Sequence, residues 1–219
     1  GTDISCNLGS TNIVNLMQSP NFGQSVRTMT RALTFITDAS DIDVVPPIQN
    51  GNKLNHTIGL GAMGLHTYLA KEQMEYGSED SLDFTNIYFM LLNYWTLVES
   101  NNIARERKQV FHNFEKSAYA DGTYFEKYVT GEFQPKSEKV KALFEGIFIP
   151  TAEDWNALKQ AVMKDGLYHQ NRLAVAPNGS ISYINDTSAS IHPITRMIEE
   201  RQEKKIGKIY YPAPYLSNE

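Results

Sequence analysis

Two short stretches combine residue types that could do chemistry. Ile4-Ser5-Cys6-Asn7-Leu8 alternates in side-chain character and ends at Gly9, the pattern of a short strand with Ile4, Cys6 and Leu8 on one face and Ser5 and Asn7 on the other. A thiol at Cys6 could serve as a nucleophile or redox group. A lone cysteine on an apolar strand is by default a small buried hydrophobe, and the residues alone favour that plainer role. The second stretch, Ala174-Val175-Ala176-Pro177-Asn178-Gly179-Ser180-Ile181-Ser182, runs from a buried strand into a turn and then small hydroxyl residues. Gly179 lets the backbone turn its N–H groups outward, Ser180 and Ser182 add hydroxyl donors, and a helix start would add its dipole, which together make an anion site. A plain β-turn with a Ser cap accounts for the same residues, and this segment alone favours the turn.

Gly59-Leu60-Gly61-Ala62-Met63-Gly64 matches G-x-G-x-x-G between an expected strand and an expected helix. The dinucleotide fingerprint also needs a second strand ending in an acid about 20 residues on, whereas Glu79 and Asp80 open a long helix. Close strand-to-helix packing is therefore the preferred role for these glycines. His56, His66, His112, His169 and His192 lack paired metal-ligand spacing, so no metal site is expected.

The elements that would position these residues follow from periodicity. Apolar residues recur at helical spacing from Ser25 to about Ile42, and Pro46-Pro47 then marks a loop. Thr57-Ile58-Gly59-Leu60 reads as a brief strand and Ala62 to Lys71 as a helix. Gly77-Ser78-Glu79-Asp80 supplies a cap and first-turn acids for a helix to about Lys108, roughly 45 Å long at ~1.5 Å per residue. Residues 111–149 break into shorter pieces, with Phe114–Ser117 one of them and helices expected around Thr123–Val129 and Ser137–Phe144. A capped one then runs from Thr151 to Gly166, and Arg172 to Ala176 forms a further strand. This order predicts an α/β fold with parallel pairing, in one domain over residues 1–219. Three or four strands cannot close a barrel, so either neighbouring strands are missing or some in this chain go unrecognised, and the shortage hints at a fragment.

Composition narrows the function classes. Apolar residues at 41% and charged residues at 21% describe a soluble globular chain, neither disordered nor membrane-bound. A charge of −5 offers no footprint for nucleic acid, and Arg105-Glu106-Arg107-Lys108 reads as a solvated last helical turn. One cysteine excludes an intrachain disulfide, and the absence of a signal-like start makes the cytoplasm the expected location.

Ile4-Ser5-Cys6-Asn7-Leu8-Gly9-Ser10, Ile58 to His66 and Ala174 to Ile184 together resemble, in order and spacing, the large (alpha, catalytic) subunit of ribonucleotide reductase. Ser190-Ile191-His192-Pro193-Ile194, Ile198-Glu199-Glu200-Arg201 and Tyr210-Tyr211-Pro212-Ala213-Pro214 are similar to its class Ib form. The resemblance implies the second half of a ten-stranded α/β barrel of the ribonucleotide reductase and glycyl-radical-enzyme type, helix-rich and incomplete. It implies that Cys6 is one of two redox thiols whose partner lies outside this chain. It also implies that Pro177, Asn178, Gly179, Ser180 and Ile181, with Leu8, hold a ribonucleoside diphosphate. No cofactor is then bound by this chain; the parent takes its radical from a metal-containing small subunit and its electrons from a thioredoxin- or glutaredoxin-type reductant. Implied partners are those two proteins, the other half of the barrel and a second copy of the parent, with no nucleic acid and no membrane.

The family's radical cysteine, the earlier thiol and the C-terminal cysteine tail have no counterpart here, so the isolated chain is expected to be inactive. Two other readings stay open on the residues: a non-catalytic phosphate-binding module, and a helical scaffold in which neither Cys6 nor the Asn178 loop lines a cleft.

Overall fold

The computed structural model describes residues 3–40, 42–203 and 207–213. In chain order these form β1 (Asn7–Asn12), α1 (Ile13–Met17), α2 (Phe22–Ala39), α3 (Pro46–Asn55), β2 (Ile58–Met63), α4 (Leu65–Lys71) and α5 (Glu79–Arg107). There follow α6 (Glu126–Thr130), α7 (Glu138–Leu143), α8 (Ala152–Asp165), α9 (Gly179–Ile184), β3 (Ile198–Glu203) and β4 (Gly207–Pro212). No described helix is long and apolar enough to cross a membrane.

The 29-residue α5 starts where its sequence says it should. The Ser78 side chain accepts from the Ser81 N–H, Glu79 and Asp80 occupy the first turn, and Arg105 and Arg107 the last. Its apolar residues surround the axis, and Phe84, Ile87, Tyr88, Leu91, Leu92 and Leu97 are fully buried. At about 1.5–3 kcal/mol for each large side chain removed from water, this helix dominates the core. α2 is locked to it by charge as well as packing: buried Glu99 accepts from Arg27 Nε at 2.5 Å and from Arg31, which also forks onto Glu106 at 2.7 and 3.0 Å. The last turn of α5 is thus engaged, not merely solvated: Arg107 binds Asp38 and the Tyr168 hydroxyl.

β1 and β2 pair in parallel, from Asn7 opposite Ile58 to Asn12 opposite Met63. Residues 171–176 extend this pair on the far side of β2: the N–H groups of Ile58 and Leu60 donate to Asn171 and Arg172, and that of Ala174 donates to Leu60. Leu60 and Leu173 form a parallel bridge there. β3 and β4 make a separate antiparallel hairpin. The architecture is helix-rich α/β, and the described strands do not close a barrel.

Several expectations are corrected. β1 begins at Asn7, leaving Ile4 to Cys6 ahead of the strand, and runs through Gly9 to Asn12 without stopping at Leu8. Its buried face is the polar one: Asn7 Nδ2 donates to Thr37, while Thr11 bonds the Gly61 carbonyl and the Tyr88 hydroxyl. Such bonds offset the cost of burying polar groups. Ile4, Cys6 and Leu8 are exposed, so Cys6 is no buried hydrophobe. Pro46 and Pro47 begin α3, where a missing N–H costs nothing, and do not mark a loop. Ala62 and Met63, expected to open a helix, continue β2 instead.

His169 shows how fully α2 and α5 are joined. Fully buried, it bridges Thr34 and Ser100, each at 2.8 Å. Thr34 gives its hydroxyl proton to the Thr30 carbonyl, so His169 Nε2 must donate to Thr34, and Nδ1 is left to accept from Ser100. A neutral ring satisfies every partner. Burial pushes its pKa well below the ordinary imidazole value, and His56 and His66 shift the same way, also chiefly through burial. Unfolding restores a pKa near 6.5, so below that pH the unfolded chain takes up protons that the folded chain refuses. Stability is therefore expected to fall as pH drops below about 6.5, with His169 contributing up to ~1.4 kcal/mol per pH unit. Urea unfolding between pH 8 and 5 should show His169→Gln to be less stable at pH 8 but with a shallower pH dependence; an unchanged slope would refute the assignment.

Candidate functional site

The bare face of β2 sets the geometry. Gly59 and Gly61 point to the same side as Cys6, Leu8 and Ser10, because Leu8 lies opposite Gly59 and Ser10 opposite Gly61. A Cβ at Gly59 would stand 2.8 Å from the Cys6 sulfur, 2.6 Å from Leu8 Cδ2 and 2.8 Å from Ala174 Cβ. At Gly61 it would stand 2.1 Å from the Ala174 carbonyl oxygen. The thiol thus leans over a strand that presents no side chain to it.

Cys6 is exposed, with one long contact to the Asn7 carbonyl at 3.8 Å. Partial desolvation against β2 pushes its pKa up. Exposure and desolvation coexist because one side of the sulfur is open to water while the other rests on β2. At neutral pH the group is a protonated thiol.

The segment 171–176 leads into the loop at Pro177. Asn178 precedes α9, but its side chain does not cap the helix. Its side chain turns away, donating to Ser10 Oγ at 2.6 Å and accepting from the Ser190 N–H at 2.6 Å. Pro177, Ser180 and Ile181 are exposed, Gly179 is half-buried and Asn178 is buried. The loop is therefore fastened to β1, which begins directly after Cys6. Ser10 follows Cys6 by four residues on the same face, about 13 Å along the strand.

Of the residues singled out in the sequence, Leu8 lies in β1 and Cys6 directly before it, Pro177 and Asn178 lie in the loop tied to β1, and Gly179 to Ile181 form the first turn of α9. Sequence reasoning missed Ser10 and Ser190. Carrying the alternation of β1 past Gly9 would have put Ser10 in line with Cys6; nothing local to Ser190 signals its role. A cavity of about 310 Å³ on the other side of α9 has Ser182, His192 and Tyr211 in its walls, but neither Cys6 nor Gly179 lines it.

The raised pKa has a measurable consequence. Cys6 should alkylate to completion because it is exposed, yet more slowly at pH 7.5 than a free cysteine peptide, with a rate still climbing above pH 9. A rate faster than the free peptide at neutral pH would contradict this environment.

Comparison with known proteins gives the geometry a family. The whole chain, residues 1–219, matches the model of the ribonucleotide reductase barrel domain. It is 46% identical over 218 residues to the ribonucleoside-diphosphate reductase subunit alpha of Bacillus subtilis, covering 100% of this chain and 31% of that protein. It is 43% identical over 225 residues to the subunit of the same name from Mycoplasma pneumoniae, again 100% of this chain and 31% of the relative. The NrdEB subunit alpha of Bacillus phage SPbeta is 47% identical over 217 residues, 99% of this chain and 20% of that protein. The chain thus spans less than a third of the length of these relatives, and it belongs to the ribonucleotide reductase barrel-domain family.

Proposed function

We propose that the protein containing this chain reduces ribonucleoside diphosphates to deoxyribonucleoside diphosphates, in the manner of a class Ib enzyme. Cys6 supplies one of two redox thiols, and residues 177–181, with Leu8, hold the substrate. The observation that carries this reading is the common face: an exposed thiol and an uncapped backbone turn, joined through Ser10, in a chain close in sequence to named reductase subunits.

Loss of the 2′-hydroxyl follows removal of the 3′ hydrogen by a thiyl radical from elsewhere in the parent, and that hydrogen is returned at the end. Two thiols give up two electrons and two protons, the 2′ oxygen leaves as water, and the sulfurs join as a disulfide. A protonated Cys6 is in the form that can hand a proton to the departing hydroxyl. Its partner must come from a neighbouring strand, because the Cα atoms of a disulfide lie about 4.4–6.8 Å apart. Fixing the diphosphate in the loop holds the ribose over the sulfur, so that positioning supplies much of the rate. The radical-generating small subunit, a glutaredoxin-like reductant, the other half of the barrel and a second copy of the parent complete the proposed assembly.

Turnover assays decide the matter. The full-length protein with its radical subunit and a dithiol should form deoxynucleotide, Cys6→Ser should reduce this to background, and the isolated 219-residue chain should form none. Turnover by the isolated chain, or undiminished turnover in Cys6→Ser, would defeat the proposal.

A further inference from the structure

The side chain of Asn178 has both polar atoms engaged, and neither engagement is with its own helix. Nδ2 reaches Ser10 on β1 and Oδ1 takes the N–H of Ser190, both at 2.6 Å, while the residue is only 6% exposed. An asparagine before a helix ordinarily accepts from an N–H of the first turn. Here that option is forgone for two longer-range bonds.

The segment that receives Asn178 is itself anchored. Ser188 and Thr67 exchange bonds, the Ser188 N–H donating to Thr67 Oγ1 at 2.9 Å and the Thr67 N–H to Ser188 Oγ at 3.2 Å. Thr67 lies in α4, directly after β2. A continuous line of bonds therefore runs from β1 through Ser10, Asn178 and Ser190 to the segment held on α4. It crosses the C-terminal ends of β1 and β2 and holds the turn at residue 178 against both.

We infer that the side chain of Asn178 is a positioning group and leaves substrate contact to the backbone of the turn: it clamps residues 177–181 to β1, which begins directly after Cys6, and so sets the distance from bound diphosphate to thiol. This rests on the reading of the site proposed above. A buried amide with both polar atoms satisfied has little to offer a nucleotide, whereas the backbone of the turn it holds stays open. Ser10 lies in β1 and Cys6 directly precedes that strand, so movement of the turn relative to Ser10 is movement of the substrate relative to Cys6. A displacement near 1 Å can cost as much as ~10²-fold in rate.

The test uses the full-length protein with its radical subunit. Asn178→Ala and Ser10→Ala should each lower kcat roughly 10- to 100-fold while KM changes less than about threefold, because the turn still binds phosphate but holds it out of register. The double variant should be no worse than either single one, and Ser10→Thr, which keeps the hydroxyl, should recover most of the loss. An Asn178→Ala enzyme with raised KM and intact kcat would make Asn178 a ligand and overturn the inference, as would ordinary kinetics in Ser10→Ala.

Hydrogen exchange tests the clamp without catalysis. Ser10→Ala should reduce protection of the Ser190 amide at least tenfold, although their link runs through Asn178. Unchanged protection would end the clamp whatever the kinetics. Absence of reductase activity in the unsubstituted protein would instead end the proposed function.

Discussion

Gly59 and Gly61 leave one face of β2 bare, and the neighbouring segments close into the space a side chain would fill. An alanine at position 61 would drive its methyl group to 2.1 Å from the Ala174 carbonyl oxygen, so the segment 171–176 could not keep its bonds to Ile58 and Leu60. The turn at Asn178 follows directly from that segment, and Cys6 leans over Gly59 from the other side. The relation between turn and thiol is thus set by two absent side chains. The other face of the same strands, with Ile58, Leu60 and Ala62, is buried in the α2 and α5 core, which gives the bare face a rigid backing.

Local chemistry made some of this legible from residues alone. The Ser78 and Thr151 caps, the first-turn acids that follow them and the glycine after α8 lie within one turn of the helix ends they define, so α5 and α8 were readable almost to the residue. α3 was misread because Pro-Pro both ends and begins helices, and only the chain that follows decides between them. The β3–β4 hairpin was not anticipated, since Ile198-Glu199-Glu200 offers little apolar alternation to mark a strand. What carried the family assignment was the combination of three separated segments, a pattern of order that no single segment contains.

The face of β1 is the instructive failure. Alternation finds two faces correctly but cannot say which is inside when the apolar set is small. Ile4, Cys6 and Leu8 read as inward, yet Asn7 and Thr11 are the residues with partners, in Thr37, Tyr88 and the Gly61 carbonyl. Each partner lies 30 or more residues away, so its offer is invisible locally. Hydrogen bonding reverses the usual sorting because a polar group that is bonded on burial loses little, and the apolar group left outside forfeits only about 25 cal/mol per Å².

That exposed apolar edge has its own chemical logic. Leu8, 51% exposed, and Ile4, 68% exposed, flank the one thiol, and apolar surface beside a reactive group lowers its free energy when water is removed. Desolvation has already raised the Cys6 pKa on the side that touches β2. An apolar surface that covers the open side, bringing neither positive charge nor hydrogen-bond donors, raises it further, because the thiolate loses its remaining water while the neutral thiol loses little. Covering this face would therefore be favoured by its leucine and isoleucine and would hold its cysteine protonated. The same apolar pattern that misled the assignment of inside and outside thus gives the thiol an environment that favours its protonated form.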